Sequence, residues 1–159
     1  MTHETNWVKI ERVFDASIQT VWDMWTDPKC FQSWYGPKGM SIPVAEMDVT
    51  VGGTRRICME MNTPERQMQM WFTGVYKEVN PPHRLVYTEA MCDEDGTLIP
   101  PSRMGMPGDT PDITEVIVEL QSDGEKTRMT MIHVGVPAGT AGEGGWQQAF
   151  DKLADVLRG

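Results

Sequence analysis

Cysteine and histidine are scarce in this chain, three of each among 159 residues. Cys30, Cys58 and Cys92 are odd in number and far apart, with no Cys-x-x-Cys pair, and His3, His83 and His133 are equally scattered. That spacing supplies neither a zinc site nor a disulfide framework, so no metal is expected and the cysteines read as small reduced hydrophobes. Basic residues are outnumbered, 14 against 23 acidic, for a net charge of −9. A phosphate backbone is therefore not an expected partner, and the excess of acid chiefly keeps the chain dispersed. No apolar run is long enough to span a bilayer. The opening Met-Thr-His-Glu-Thr-Asn lacks the basic and apolar regions of a signal peptide, so a cytoplasmic location without membrane insertion is the expectation. Catalytic signatures are missing too. There is no Gly-x-Ser-x-Gly, no nucleotide-binding glycine loop and no His-x-x-x-His pair, which points away from an enzyme and implies no cofactor.

What the chain does have is methionine, 13 in all, a residue that fills irregular gaps and adapts to varied apolar ligands. Its length suits one domain with a real core. The clearest periodic stretch is the last, Gly145 to Leu157. Trp146, Ala149, Phe150, Leu153, Ala154 and Leu157 recur mostly at three- and four-residue steps, and Gln147, Gln148, Asp151 and Lys152 take the other face. A helix of that length, roughly 20 Å at 1.5 Å per residue, must cover something. Almost everything between residues 44 and 136 reads as strand.

The spacing predicts a first strand over residues 7–14, with Val8, Ile10 and Phe14 on one face beside Arg12. Arg12 then sits at the sheet's rim or pairs with a carboxylate. Ser17 is placed to cap a short helix whose apolar stripe is Ile18, Val21, Trp22 and Trp25, and Asp27 to cap another turn beginning at Pro28. Trp22 and Trp25 read as core, whereas Trp34, Tyr35 and Trp146, at helix ends beside glycine and proline, are candidates for a pocket mouth.

Several segments together carry a family resemblance. They are Phe14-Asp-Ala16, Val21-Trp-Asp-Met-Trp-Thr-Asp-Pro28 and Trp34-Tyr-Gly-Pro-Lys-Gly39, then Glu46-Met-Asp48, Val51-Gly-Gly53, Pro81-Pro-His-Arg-Leu-Val86 and Lys126-Thr-Arg-Met-Thr-Met131, closing with Gly145-Trp146 and Leu153. In this order and spacing they resemble the START-like (SRPBCC, Bet v 1-like) superfamily, in the branch named for similarity to the activator of the 90-kDa heat-shock chaperone's ATPase. The resemblance implies an α+β helix-grip fold. A curved antiparallel sheet would wrap a long C-terminal helix, with two short helices after the first strand and a cavity between sheet and helix.

Within that frame, alternation turns Arg55, Ile57, Met59 and Met61 to one side of a strand over 55–61, and Met68, Met70 and Phe72 to one side of another over 68–72. Arg84 to Cys92 has no polar face, so pattern leaves its orientation open, and the resemblance turns Leu85 and Tyr87 inward. Thr114, Val116, Val118 and Leu120 should face the helix, as should Met129, Met131 and His133, across an Asp-Gly hairpin turn. Gly139 to Gly145 reads as a glycine-rich approach to the last helix. Residues 93–111 show no period and carry Met104 and Met106; they form either a lid at the pocket edge or an ordinary surface connection.

The expected function is non-covalent binding of a small apolar or amphipathic molecule. Its candidate lining is Trp34, Tyr35, Arg55, Met59, Met70, Tyr87, Met104, Met106, Met131, His133, Trp146 and Phe150. Two alternatives stay open: a co-chaperone-like protein binding a chaperone ATPase, and a cyclase or hydrolase using the same pocket. The second would draw on Glu89 and His133, whose strands in the implied fold are separated by one other, about 9–10 Å at ~4.8 Å per strand. A water or ligand would then have to bridge them.

Overall fold

The computed structural model describes residues 6–65, 67–100 and 111–158. Seven strands form one antiparallel sheet: β1 (Trp7–Phe14), β2 (Met40–Met47), β3 (Thr54–Asn62), β4 (Gln67–Asn80), β5 (Arg84–Cys92), β6 (Ile113–Asp123) and β7 (Lys126–Pro137). Their order across the sheet is β1-β7-β6-β5-β4-β3-β2, so β1 and β2 are opposite edges. Helices α1 (Ile18–Thr26) and α2 (Pro28–Gln32) carry the chain from one edge to the other, and α3 (Ala141–Arg158) follows the last strand. This is the helix-grip arrangement.

Local chemistry accounts for the short helices. Ser17 accepts the Thr20 N–H and Asp27 accepts those of Lys29 and Cys30, each relieving donors with no partner inside the helix. Val21, Trp22, Met24 and Trp25 are buried on α1 and Phe31 on α2. The core lies where α3 meets the sheet. Trp146, Ala149, Phe150 and Leu153 are buried there, against Val116, Val118 and Leu120 of β6 and Met129 and Met131 of β7. Aromatic rings meet edge-on and tilted in one cluster, with Trp25 4.8 Å from Trp34, 6.1 Å from Phe150 and 6.2 Å from Trp146. Arg12 does sit at the rim: its Nη2 donates to Gln147 Oε1 at 2.6 Å and Asp151 Oδ1 at 3.0 Å, tying β1 to α3.

Three elements are longer than their patterns suggest. Helix α3 begins at Ala141, not Gly145, through the segment expected as an approach. Thr140 C=O accepts the Glu143 and Gly144 N–H groups, and Glu143 Oε1 accepts the Gly139 N–H, closing the first turn despite its glycines. Strand β4 runs on to Asn80 because Gly74 continues it. A Cβ at Gly74 would lie 1.8 Å from the Thr88 carbonyl oxygen, so glycine there permits close strand approach rather than a break. The register shift of β4 against β5 comes later, between Tyr76 and Glu78. Strand β2 starts at Met40, four residues before the alternation becomes readable.

The burial of Phe150 and Leu153 makes α3 the anchor of the core. Phe150→Ala and Leu153→Ala are each expected to cost about 2–5 kcal/mol in urea denaturation. A cost near zero for either would show that the helix is held elsewhere.

Candidate functional site

A cavity of about 260 Å3 opens between the first half of α3, the segment from Tyr35 to Met40 and the concave faces of β3, β4 and β5. It exists because α3 presents small residues there: Ala141, Gly142, Gly145 and Ala149 line it, with Trp146 as the one large side chain of the helix. Opposite stand Met40, Met59 and Met70 with Tyr35, Gly36 and Pro37. Gly36 has φ +86° and lies so near Met59 Sδ that an added Cβ would be 3.4 Å from it. The Tyr35–Met40 segment is fastened to α3. Lys152 Nζ donates to the carbonyls of Tyr35 and Pro37 at 3.3 and 3.2 Å, and the Lys38 N–H donates to Gln148 Oε1 at 3.0 Å. Partial burial lowers the Lys152 pKa.

Among the described residues, one carboxylate reaches this cavity. Glu89 Oε2 accepts from Tyr35 Oη at 3.0 Å and faces Arg55 Nη1 at 3.5 Å. Tyr35 Oη is 3.0 Å from Tyr87 Oη. Since the Tyr35 proton goes to Glu89, Tyr87 donates to Tyr35, and the chain Tyr87 to Tyr35 to Glu89 is polarised in one direction. Burial, then the charge of Glu89, raises the Tyr35 pKa well above the ordinary phenol value, so it stays a donor.

Arg55 lies behind this pair, with its side chain fully buried. Its guanidinium carbon is 3.8 Å from the centre of the Tyr87 ring, 5.5 Å from Phe31, 5.9 Å from Tyr76 and 6.0 Å from Tyr35. Nε and Nη2 have no hydrogen-bond partner among the described residues, nor has Tyr76 Oη. The charge is held by aromatic faces and one carboxylate.

A second cavity, about 140 Å3, lies on the other side of Glu89 and is lined also by Phe72, Thr114, His133 and Gly135. His133 is engaged at both nitrogens. The Trp146 indole N–H donates to Nδ1 at 3.0 Å, so Nδ1 carries no proton, and Nε2–H donates to Thr114 Oγ1 at 2.8 Å. Thr114 Oγ1 passes its own proton to the Glu89 backbone carbonyl at 3.2 Å. Thr114 thus stands between Glu89 and His133, and their side chains are not hydrogen-bonded to each other. Burial is the main cause that lowers the His133 pKa below 6.5.

Of the residues expected at a ligand surface, Tyr35, Met59, Met70 and Trp146 line the larger cavity and His133 the smaller. Arg55 and Tyr87 lie directly behind Glu89. Trp34, Met131 and Phe150 are placed instead in the packed core, each fully buried and lining neither cavity. Trp34 owes this to its indole N–H, which donates to the Met24 carbonyl at 2.8 Å and turns the ring under α3. Met104 and Met106 lie outside the described residues. The start of that loop folds back, with Leu98 bridging to Cys92 and the Ile99 N–H bonded to the Met91 carbonyl. Sequence reasoning missed Met40 and the small residues of α3. Ala141, Gly145 and Ala149 at four-residue spacing were the available signal, one helix stripe without bulk facing methionines. It also missed Tyr76, which sits beyond Gly74 in the unread half of β4.

A curved seven-stranded sheet closed over a long C-terminal helix, with a cavity between them, defines a START-like domain. The family model described as "Activator of Hsp90 ATPase homolog 1-like protein" matches residues 15–158, and the chain belongs to that family. Solved structures agree in fold. A protein of Chromobacterium violaceum is 24% identical with a TM-score of 0.75, covering 97% of this chain and 98% of its own. The AHSA1 protein of Silicibacter pomeroyi is 21% identical with a TM-score of 0.72, covering 94% of this chain and 96% of its own. A Rhodobacter sphaeroides protein is 19% identical with a TM-score of 0.75, covering 99% and 96%. A search of the curated proteins gave no match. Among the described residues, no helix is long and apolar enough to cross a membrane.

The unfolded chain's imidazole takes a proton near pH 6.5, whereas buried His133 resists it. The stability from the neutral ring is complete above 6.5 and falls as pH drops below it, by at most about 1.4 kcal/mol per pH unit. His133→Gln keeps a donor and an acceptor but cannot titrate. Its stability should therefore fall less steeply than the wild type's between about pH 7 and 5.5, as read from urea midpoints. Equal slopes would refute the assignment.

Proposed function

We propose that this protein binds a small, mostly apolar molecule in the cavity between α3 and the sheet. The observation that carries this reading is a stripe of Ala141, Gly145 and Ala149 facing Met40, Met59 and Met70 across an unfilled space. An apolar surface of this shape, open to water when empty, gains by covering with apolar ligand. Burial of apolar ligand surface stabilises by about 25 cal/mol per Å2 before the costs of association. Cavities of about 150 Å3 accept a benzene ring, so 260 Å3 suits a molecule of one or two rings. Methionine side chains allow the wall to fit more than one shape.

The alternatives raised by the sequence fare differently. A cyclase or hydrolase using Glu89 and His133 needs the pair to meet one substrate, whereas Thr114 stands between them and both nitrogens of His133 are engaged. A chaperone ATPase as partner rests on the family's description, whereas the ligand reading rests on this chain's own cavity.

Ala149→Leu tests the proposal, since the added side chain enters the cavity. Titration with naphthalene, followed by tryptophan emission, should show at least about tenfold weaker binding than wild type. The melting temperature should be unchanged or higher, because the variant fills a void. Equal naphthalene affinity in the two proteins would count against the cavity as the binding place.

A further inference from the structure

Glu89 is the one charged side chain among the described residues lining the larger cavity. Its Oε2 is taken by Tyr35 and Arg55, while Oε1 has no hydrogen-bond partner among the described residues. The side chain is 11% exposed, whereas that of Arg55 is 0% exposed. A ligand in the cavity therefore meets the carboxylate but not the guanidinium behind it. It also meets no spare donor from Tyr35, whose proton is committed to Glu89.

From this arrangement we infer that the cavity selects molecules with an uncharged hydrogen-bond-donating head, such as a hydroxyl, phenol or amide N–H. The inference rests on the cavity-binding reading above. Glu89 and Arg55 together sum to no net charge, so a neutral donor satisfies Oε1 and leaves the site balanced. A ligand carboxylate would place a second negative charge beside Glu89, with Arg55 closed off by the rings of Tyr87, Phe31, Tyr76 and Tyr35. An ammonium group would be drawn to Glu89, but that charge is already matched by Arg55 at 3.5 Å. The cation would lose its hydration in an apolar enclosure and leave an unbalanced positive charge there. Ligands of the fatty-acid kind are disfavoured on the same ground, and apolar alcohols and phenols are favoured.

Four probes of one shape separate these outcomes: naphthalene, 2-naphthol, 2-naphthoate and 2-naphthylmethylammonium, titrated calorimetrically into wild-type protein near pH 7. The expected order is 2-naphthol tightest, by about tenfold over naphthalene, the gain of one good hydrogen bond to a charged acceptor. Both ionic probes should bind more weakly than naphthalene. In Glu89→Gln the charge of Arg55 is left unmatched, so the ratio of naphthoate to naphthol affinity should rise at least about tenfold. Should that variant fail to fold, the wild-type order alone decides. Naphthalene binding without a gain for 2-naphthol, or naphthoate matching 2-naphthol in the wild type, overturns the head-group inference while the cavity reading stands. If none of the four binds, both fall.

Discussion

The burial of one guanidinium organises this structure. Arg55, on β3, has no water-facing surface, and a charge so placed persists only when its surroundings replace the lost hydration. Here the replacement comes from Glu89 and from four rings carried by three elements or their ends: Phe31 on α2, Tyr35 just after it, Tyr76 on β4 and Tyr87 on β5. Each ring is thereby held in place by the same charge. Tyr35 is in turn hydrogen-bonded to Glu89, and the segment it begins is fastened to α3 by Lys152. Glu89, the one carboxylate among the described lining residues, and the Tyr35 part of the cavity's wall both depend on that cation.

The same network explains why Glu89 is not arranged as half of an acid/base pair. Its Oε2 is occupied by Tyr35 and Arg55, while both nitrogens of His133 are taken by Trp146 and Thr114. A strand's width separates the two side chains, and Thr114 fills it with a hydroxyl that serves the Glu89 backbone and the imidazole at once. His133 is a satisfied structural histidine whose tautomer is set by Trp146. Its ring fixes the indole that closes one side of the cavity.

Much of the fold was legible because burial imposes period. Val8, Ile10 and Phe14 alternate in β1, Val116, Val118 and Leu120 in β6, and Trp146, Phe150 and Leu153 mark a helical stripe, so their elements and inward faces could be read. Where both faces are buried, period disappears. In β5 Leu85 and Tyr87 turn to the core, yet Val86 and Ala90 on the opposite side are buried as well, which is why only the family resemblance could orient it. Glycine misled at the start of α3, delaying it past Gly142, and the alternation that fades after Phe72 hid the rest of β4, which Gly74 continues. At both positions, close contact with a neighbour gives the glycine its reason: Thr88 for the strand, Val136 for the helix. The candidate site was only half legible for a related cause. A cavity is made by missing bulk, and sequence reading that looks for large side chains passes over Ala141, Gly145 and Ala149. It gathered Trp34 and Phe150 instead, whose size takes them into the core.

The strand order also bears on the chain's history during synthesis. β1 is the first strand to be made, but its sheet partner β7 is the last. Until β7 is complete, β1 has no neighbour and both of its edges are open, a state prone to pairing with other chains. Lys9 and Glu11, exposed on its outer side, put charge where a stray strand would stack, and Arg12 waits for α3 to arrive with Asp151. The sheet is thus closed from its oldest edge by its youngest residues, and the cavity takes shape only when α3 has been added.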